Sequence, residues 1–314
     1  MSFSSMVKEE LAKHVGMARH CQLAELAAIL LYCGQVQIDE QGNPALHIRT
    51  ENPSVARKYF TLLKKTFNID TDVVLNGWQD GIKGGLEQLT ISKKDEVTRI
   101  LQALKRMDKD GRILENEHRV NPMLVKNACC QRAFLRGAYL AIGSMSDPEK
   151  SYHLELVCME PEQAKQLQEI IQGFDIEAKI VRRKKYYVVY MKEGACIVDF
   201  LNIIEAHVAL MELENLRILK EMRNSINRRV NCEAANITKT VNAASKQTED
   251  IILIRDTYGF DNLPESLRQM AQVRLEHPDA TLKELGEFLT PSVGKSGVNH
   301  RLRKLSELAE KIRV

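Results

Sequence analysis

The sequence lacks the features that would place it in a membrane or hold it together with disulfides. No stretch of its 314 residues reaches the roughly 18 consecutive apolar residues of a membrane-spanning helix. The opening MSFSSMVKEELAKHV lacks the basic-then-apolar order of a signal peptide. Its 7 cysteines form no Cys-x-x-Cys motif, and their odd number fits reduced thiols. We therefore expect a cytoplasmic protein, with the adjacent Cys129 and Cys130 serving as packing residues.

An excess of charge of one sign is also missing. The 45 Lys and Arg against 42 Asp and Glu leave a net charge of only +3, so the chain is not basic as a whole. The basic residues instead gather in three segments. Residues 179–192 hold 6 cations and no acid, residues 215–246 hold 7 cations and 2 acids, and residues 295–304 hold 4 cations and no acid. Such local clusters are the candidates for contact with phosphates.

Two segments of the chain repeat each other at an offset of 109 residues, LAAILLYCG at 26–34 and LRGAYLAIG at 135–143. Each predicted helix is followed by two alternating runs that predict strands, and then by a helix with a proline near its start, at 51–67 and 159–174. Two more strands follow in each copy, IDTDVVL and LEQLTIS in the first, IEAKIVR and YYVVYMK in the second. Helices at 95–104 and 194–204 close the copies. The order αββαββα, twice, predicts an α+β fold.

This arrangement resembles the duplicated LAGLIDADG homing-endonuclease fold, in which the two named helices pack together and each half supplies a sheet that lies along DNA. The resemblance implies an acid near the end of each helix, because paired carboxylates hold the divalent ions of hydrolysis. Cys33 and Ile142 occupy those positions, and neither side chain suits Mg²⁺. Asp39 and Asp147 are the nearby acids, and turn chemistry is the favoured interpretation of Asp147, which precedes a proline. We expect no catalytic residue, no metal site and no cofactor.

Beyond Gly259 and Pro264, three short helical patterns predict an all-α helix-turn-helix domain. Thr281 and Glu284 form a capping box at the second helix. The third helix places Val298, Leu302, Leu305, Ala309 and Ile312 on a core side. The rest of its surface carries cations and hydrogen-bond donors, which we expect to contact DNA: Lys295, Ser296, Asn299, His300, Arg301, Arg303 and Lys304. The alternative is the solvated face of a small helical bundle.

Two further regions supply secondary candidates for DNA binding. The tip of a predicted hairpin carries Arg182, Arg183, Lys184 and Lys185. The connecting helix carries a donor-rich stripe that includes Arg217, Lys220 and Arg228, opposite an apolar stripe. Alternatively, the tip lysines keep a sheet edge soluble and the connector is a solvated spacer.

The predicted domains are 1–212, with repeats at about 1–110 and 121–212, then a helical linker at 213–262 and the helix-turn-helix domain at 263–314.

The two degenerate helices, together with long phrases such as CCQRAFLRGAYLAIGSMSDPEKSYHLE, LENLRILKEMRNSINRRVNCEAANITKTVNAA and KSGVNHRLRKL, closely resemble the WhiA family over essentially the whole chain. The resemblance implies a nucleoid-associated bacterial DNA-binding factor with a catalytically silent LAGLIDADG-like domain. It also implies a role in cell division and chromosome segregation, in sporulation-type transcription regulation, or in both. The expected partners are double-stranded DNA and proteins of transcription or division. The alternatives are a protein-interaction scaffold whose C-terminal module alone binds DNA, and a metal-dependent homing-type endonuclease.

Overall fold

The computed structural model describes residues 2–40, 42–69, 87–108, 110–114 and 118–313. It divides into two compact units, Met1–Leu219 and Lys220–Val314. Every helix within the described ranges is too short or too polar to cross a lipid bilayer. The domain limits that the sequence predicts, with a linker at 213–262, stay predictions.

The first repeat begins after a short helix, α1 (Phe3–Lys13), that the sequence did not predict. It contains α2 (Arg19–Cys33), β1 (Gly34–Ile38), β2 (Pro44–Thr50), α3 (Pro53–Phe67), β3 (Glu87–Ile91) and α4 (Lys94–Ala103). The strands form an antiparallel sheet in the order β1-β2-β3. The predicted strand IDTDVVL lies, apart from Ile69, outside the described residues.

The second repeat shows the predicted order of elements in full. It contains α5 (Ala128–Ile142), β4 (Gly143–Met145), β5 (Leu154–Cys158), α6 (Pro161–Gln172), β6 (Lys179–Arg183), β7 (Tyr186–Met191) and α7 (Gly194–Ile203). Its antiparallel sheet has the order β4-β5-β7-β6. The α+β class and the duplicated unit are therefore confirmed.

Helices α2 and α5 pack against each other at the centre of the first unit. Their approach is close because Gly137 has no side chain: a Cβ atom there would lie 2.6 Å from the carbonyl oxygen of Glu25 and 3.0 Å from the Cβ of Ala28. Around this pair a single apolar core collects buried residues from both repeats, including Leu26, Leu46 and Leu135. Burial of apolar surface is the main stabilising contribution to such a unit.

The long helix α8 (His207–Thr257) spans 51 residues and belongs in part to each unit. In the first unit, the Glu10 carboxylate of α1 accepts hydrogen bonds from the backbone N–H groups of Val208 (2.7 Å) and Ala209 (2.9 Å). These bonds satisfy donors that the first turn of a helix leaves unpaired. The predicted apolar stripe of the connector is exposed to solvent at Leu219, Met222, Ile226 and Val230.

Three helices follow in the second unit, α9 (Glu265–Glu276), α10 (Leu282–Phe288) and α11 (Lys295–Arg313). The predicted capping box of Thr281 and Glu284 is present at the start of α10. The predicted core side of α11 is buried at Val298, Leu302, Leu305 and Ala309, against residues such as Met270 and Leu285. Ile312 is partly buried against the same cluster. The helix-turn-helix order is thus confirmed.

Candidate nucleic-acid interface

Helix α11 carries the primary candidates for DNA contact on its N-terminal half. Lys295, Ser296, Asn299, His300, Arg303 and Lys304 are exposed, while Arg301 is half-buried. Arg301 donates to the backbone carbonyl of Ser266 at 3.5 Å. Arg303 donates to Glu307 at 2.9 Å within the helix. The helix therefore presents cations and amides at its beginning, although these two arginines already have protein partners.

The turn before α11 fixes how that helix is presented. The N–H of Val293 donates to the carbonyl of Gly286 at 3.0 Å. The carbonyl of Val293 lies where a side chain at position 286 would stand, so this position requires glycine. The connection between α10, which ends at Phe288, and α11, which begins at Lys295, is longer than the usual tight turn and is closed by this contact.

A cationic groove of about 430 Å³ lies beside the start of α11, within the second unit. Lys239 of α8, Lys283 of α10 and Lys295 of α11 line it. At its wall, Arg274 is only 3% exposed. Its guanidinium donates to the Gln247 side chain at 2.7 Å and to the Ala280 carbonyl at 2.7 Å, so it supports the groove. Lysines from three helices along one concave surface suit a phosphate, although the ammonium of Lys283 also lies 3.9 Å from the Glu287 carboxylate. Lys239 and Lys283 were not among the predicted site residues, because their proximity depends on helix packing.

The predicted basic hairpin tip is the turn between β6 and β7. Arg182, Arg183, Lys184 and Lys185 are all exposed there. Lys184 adopts a left-handed backbone conformation with φ of 56°. The guanidinium of Arg182 lies 5.9 Å from the ring centre of Tyr187, and the ammonium of Lys185 lies 5.3 Å from that of Tyr186. Cation–π contacts of this kind restrain the long side chains near the surface.

Glu155 of β5 changes the electrostatics of this tip. Its carboxylate accepts two hydrogen bonds from Arg183, at 2.9 and 3.2 Å. Burial alone would raise the pKa of Glu155, but hydrogen bonds from His153 and Arg183 lower it overall. One of the four predicted tip cations is therefore neutralised by an ionised partner.

The outer face of the first sheet carries polar residues that the sequence reading did not select. His47 Nδ1 lies 3.0 Å from Thr90 Oγ1, and Arg49 donates to Gln88 at 3.1 Å. These side chains stand on neighbouring strands in register. Guanidinium, amide and imidazole groups are able to recognise base edges. The sequence does indicate that β2 and β3 have one polar and one apolar face, because polar and apolar residues alternate along them. The apolar residues are buried: Leu46, Ile48, Leu89 and Ile91.

The helix ends that would hold metal acids in a nuclease carry other chemistry. The Cys33 thiol lies 3.9 Å from the carbonyl of Ala141, and burial raises the pKa of Cys33 to about 11. A neutral thiol beside isoleucine offers no ligand for Mg²⁺. Asp39 accepts from the backbone N–H of Asn43 at 2.7 Å, and Asp147 accepts from that of Glu149 at 3.0 Å. Each of these carboxylates therefore holds its own turn.

The secondary candidates on α8 have local partners. Arg217 is half-buried and pairs with Glu214 at 2.8 Å. Lys220 is half-buried, and Arg228 is exposed and donates to the carbonyl of Asn224 at 3.3 Å. Their role in DNA binding stays a prediction.

The fold and these surfaces define a protein with a duplicated LAGLIDADG-like domain and a C-terminal helix-turn-helix module. Family models match three parts of the chain: "WhiA N-terminal LAGLIDADG-like domain" at residues 19–105, "WhiA LAGLIDADG-like domain" at 131–223 and "WhiA C-terminal HTH domain" at 226–309. The chain belongs to the WhiA family, as the resemblance in its sequence predicted.

Bacterial relatives match over essentially their whole length. The probable cell division protein WhiA of Lachnoclostridium phytofermentans is 56% identical over 313 residues, which cover 100% of both chains. That of Alkaliphilus oremlandii is 50% identical, over 99% of this chain and 98% of its own. The crystal structure of full-length WhiA from Thermotoga maritima is 24% identical, covers 99% of each chain and aligns with a TM-score of 0.59. This structural likeness supports the fold.

Proposed function

We propose that this chain is a non-enzymatic protein that binds double-stranded DNA and acts on the nucleoid, in cell division and chromosome segregation, in transcription regulation, or in both. The names of its relatives, probable cell division proteins, support the cellular role. The observation that carries the DNA-binding part is the exposed, acid-free N-terminal half of α11.

The distribution of charge along α11 supports this use. A recognition helix contacts base edges and phosphates mainly through its first turns. Its first acids come later, and both have cationic partners: Glu307 pairs with Arg303 at 2.9 Å and Glu310 with Lys246 at 3.6 Å. DNA phosphates approaching the first turns therefore meet Lys295, Asn299 and Lys304 without a facing carboxylate on the same half of the helix.

The absence of an enzyme activity is part of the proposal and rests on residue chemistry. Hydrolysis of a phosphodiester by a LAGLIDADG-type site needs carboxylates at the paired helix ends. Cys33 and Ile142 stand there instead. The two nearest acids, Asp39 and Asp147, serve separate turns through the hydrogen bonds described above. We propose that the fold is retained for binding.

The test is a salt titration of binding to mixed genomic DNA fragments by the full chain. The variant Lys295→Ala/Arg303→Ala/Lys304→Ala removes three cations from α11 but keeps Arg301, which contacts Ser266. Each lost phosphate contact lowers the slope of log K against log salt by about 0.9. We expect a slope smaller by about 2 to 3 and an affinity at least about tenfold lower at low salt.

A matched control removes the same charge elsewhere. Lys64→Ala/Lys65→Ala/Lys165→Ala takes three exposed cations from α3 and α6, helices that pack on the core side of the sheets through residues such as Leu62 and Leu167. This control variant is expected to bind nearly as the unaltered chain does. Equal slopes for the α11 variant, the control and the unaltered chain would refute the assignment of α11. If other regions of the chain carry the binding, the α11 variant will keep the slope and affinity of the unaltered chain, and this result too refutes the assignment of α11.

A further inference from the structure

Four potential metal ligands meet where α2 and α5 begin. His20 and Cys21 lie in the first turn of α2, and Cys129 and Cys130 in the first turn of α5. Their ligand atoms all lie within 4.8 Å of one another. The Nδ1 atom of His20 is 3.2 Å from the sulfur of Cys130, 3.3 Å from that of Cys21 and 3.9 Å from that of Cys129. Among the residues that the structure describes, this group stands out as the one cluster with metal-ligand geometry.

These separations, 3.2 to 3.9 Å from His20 Nδ1 and at most 4.8 Å overall, are near the edges of a tetrahedral zinc site and need only small side-chain adjustments to reach them. With Zn–S bonds of about 2.3 Å and a Zn–N bond of about 2.0 Å, tetrahedral geometry places neighbouring ligand atoms about 3.5 to 3.8 Å apart. Three thiolates and one imidazole form a ligand set found in structural zinc sites. Sulfur ligands favour zinc over Mg²⁺ or Ca²⁺, which prefer oxygen. The chemistry of the four side chains and their spacing therefore agree on one class of ion.

The cluster follows the internal repeat of the chain. His20 and Cys129 are separated by 109 residues, which is the offset that aligns the two helices, and Cys21 and Cys130 are related in the same way. Ala24 and Ala133, another pair at this offset, are buried beneath the cluster and pack with Cys21 and Cys130. This floor of small residues lets the helix starts approach closely. Each repeat thus contributes two ligands to one point on the pseudo-two-fold seam.

The surroundings leave an entry route for an ion. Cys130 is buried and Cys21 is partly buried, whereas His20 and Cys129 are exposed. The seven cysteines are free thiols in the structure. Burial, followed by the neighbouring Cys129, raises the pKa of Cys21 to about 12, so the Cys21 thiol is protonated in the metal-free chain. Binding of a metal would release the thiol protons to solvent.

We propose that His20, Cys21, Cys129 and Cys130 bind one zinc ion that fastens the starts of α2 and α5 together. The ion is structural, because four protein ligands leave no open position for a substrate. Coordination bonds to the ion cross-link the two repeats. This cross-link lies at the opposite end of the α2–α5 seam from Cys33 and Ile142. This role is independent of DNA binding.

The first test measures metal content in the full chain, purified without a metal-binding tag under anaerobic reducing conditions, incubated with Zn²⁺ and desalted. The variant Cys129→Ser/Cys130→Ser removes two ligands, and Cys196→Ser/Cys232→Ser removes two thiols outside the cluster. We expect about one zinc per chain for the unaltered protein and the control variant, and at least about a tenfold lower content for the ligand variant. Equal zinc in the two variants, or zinc far below one per chain in the unaltered protein, would overturn the proposal.

A second readout does not depend on how well the ligand variant folds. Co²⁺ added to the unaltered apo chain should give the intense visible bands of tetrahedral cobalt with thiolate charge-transfer absorption, which Zn²⁺ should then abolish. Weak, octahedral-type absorption would contradict a site of this kind. Thiol titration of the same anaerobic sample, freed of reductant and denatured in the presence of a chelator, gives the remaining outcome. Fewer than 7 free thiols in the unaltered protein, with every remaining thiol of Cys129→Ser/Cys130→Ser free, would identify a disulfide in the cluster and refute the metal site.

Discussion

Single side chains at the centre of the first unit carry charge into the core. The Glu25 carboxylate lies 2.8 Å from the ammonium of Lys58 and 3.3 Å from the guanidinium of Arg136. Lys58 also donates to the carbonyl of Leu11 at 3.0 Å, and Arg136 pairs with Glu205 at 2.6 Å. Removing charges from water is costly, so such a network contributes less to net stability than its contacts suggest. It does penalise any packing of α2 against α5 that separates the partners.

Neutralising Glu25 tests that penalty. Glu25→Gln leaves the buried Lys58 and Arg136 without their shared carboxylate, and we expect a loss of about 3 to 5 kcal/mol in the free energy of unfolding. Urea unfolding of the full chain, with the transition of the first unit followed by circular dichroism, measures this loss of free energy. The control is Glu169→Gln, which breaks an exposed pair with Arg119 and should cost about 1 kcal/mol or less. Similar small losses for both variants would contradict the account.

The pKa of His14, which contacts this network, predicts how the stability of the first unit depends on pH. Burial, with the Arg136 charge as the next cause, lowers the pKa of His14 below its usual 6.5, although Glu205 at 3.1 Å opposes the shift. The unfolded chain therefore binds more protons than the folded chain just below pH 6.5, and stability falls as pH falls through that window. We expect His14→Gln to lose less stability than the unaltered chain between about pH 8 and about pH 5. Parallel pH profiles in urea unfolding would show that His14 does not contribute.

At the scale of elements, the crossing of α2 and α5 depends on the absence of a side chain at Gly137. Gly137→Ala would place a methyl group 2.6 Å from the Glu25 carbonyl oxygen. Overpacking of this kind typically costs about 1 to 3 kcal/mol, and we expect a loss of that size in thermal or urea unfolding. Gly294→Ala is the control, since no heavy atom lies within 4 Å of the added Cβ. An unchanged or raised stability of Gly137→Ala would mean that the helices are not in such close contact.

The elements differ in how far the sequence predicts them. The duplicated order of helices and strands follows from the matched phrases and proline positions, and the capping box of Thr281 with Glu284 marks α10 because its chemistry is local. Helix α1 was missed although Phe3, Met6, Val7 and Leu11 recur at helical spacing and pack on the core, because it lies outside the two repeated phrases that guided the prediction. The metal-ligand cluster was missed because its spacing in sequence is uninformative until two helices cross.

The outer face of the first sheet was missed for a related reason. The alternation of strand β2 indicates two faces, but which polar residues stand together depends on register. Pairing places His47 opposite Thr90 and Arg49 opposite Gln88, on strands separated in sequence by α3 and by residues outside the described ranges. The candidate contacts on α11 could be predicted from the sequence of one helix. The groove lined by Lys239 and Lys283 could not, because it forms only where three helices pack together.

At the scale of the whole molecule, a net charge of +3 provides little general attraction to DNA. The proposed binding must then come from local surfaces, and each unit offers candidates: the β6–β7 tip and the outer face of the first sheet in one, α11 and its groove in the other. Contacts made mainly to phosphates depend steeply on salt. A chain of this kind should bind many DNA sequences weakly, and its specificity should come from the few side chains that reach base edges.

We propose that this WhiA-family chain, with its duplicated nuclease-like fold, binds double-stranded DNA and does not cut it. One gel-shift experiment on mixed genomic fragments at low salt, run in parallel with Mg²⁺ and with a chelator, tests both halves directly. We predict shifted DNA in both buffers, recovered at full length after the protein is removed. Nicked or cleaved fragments that form only with Mg²⁺ would contradict the loss of catalysis, and the absence of a shift in both buffers would contradict the DNA-binding proposal.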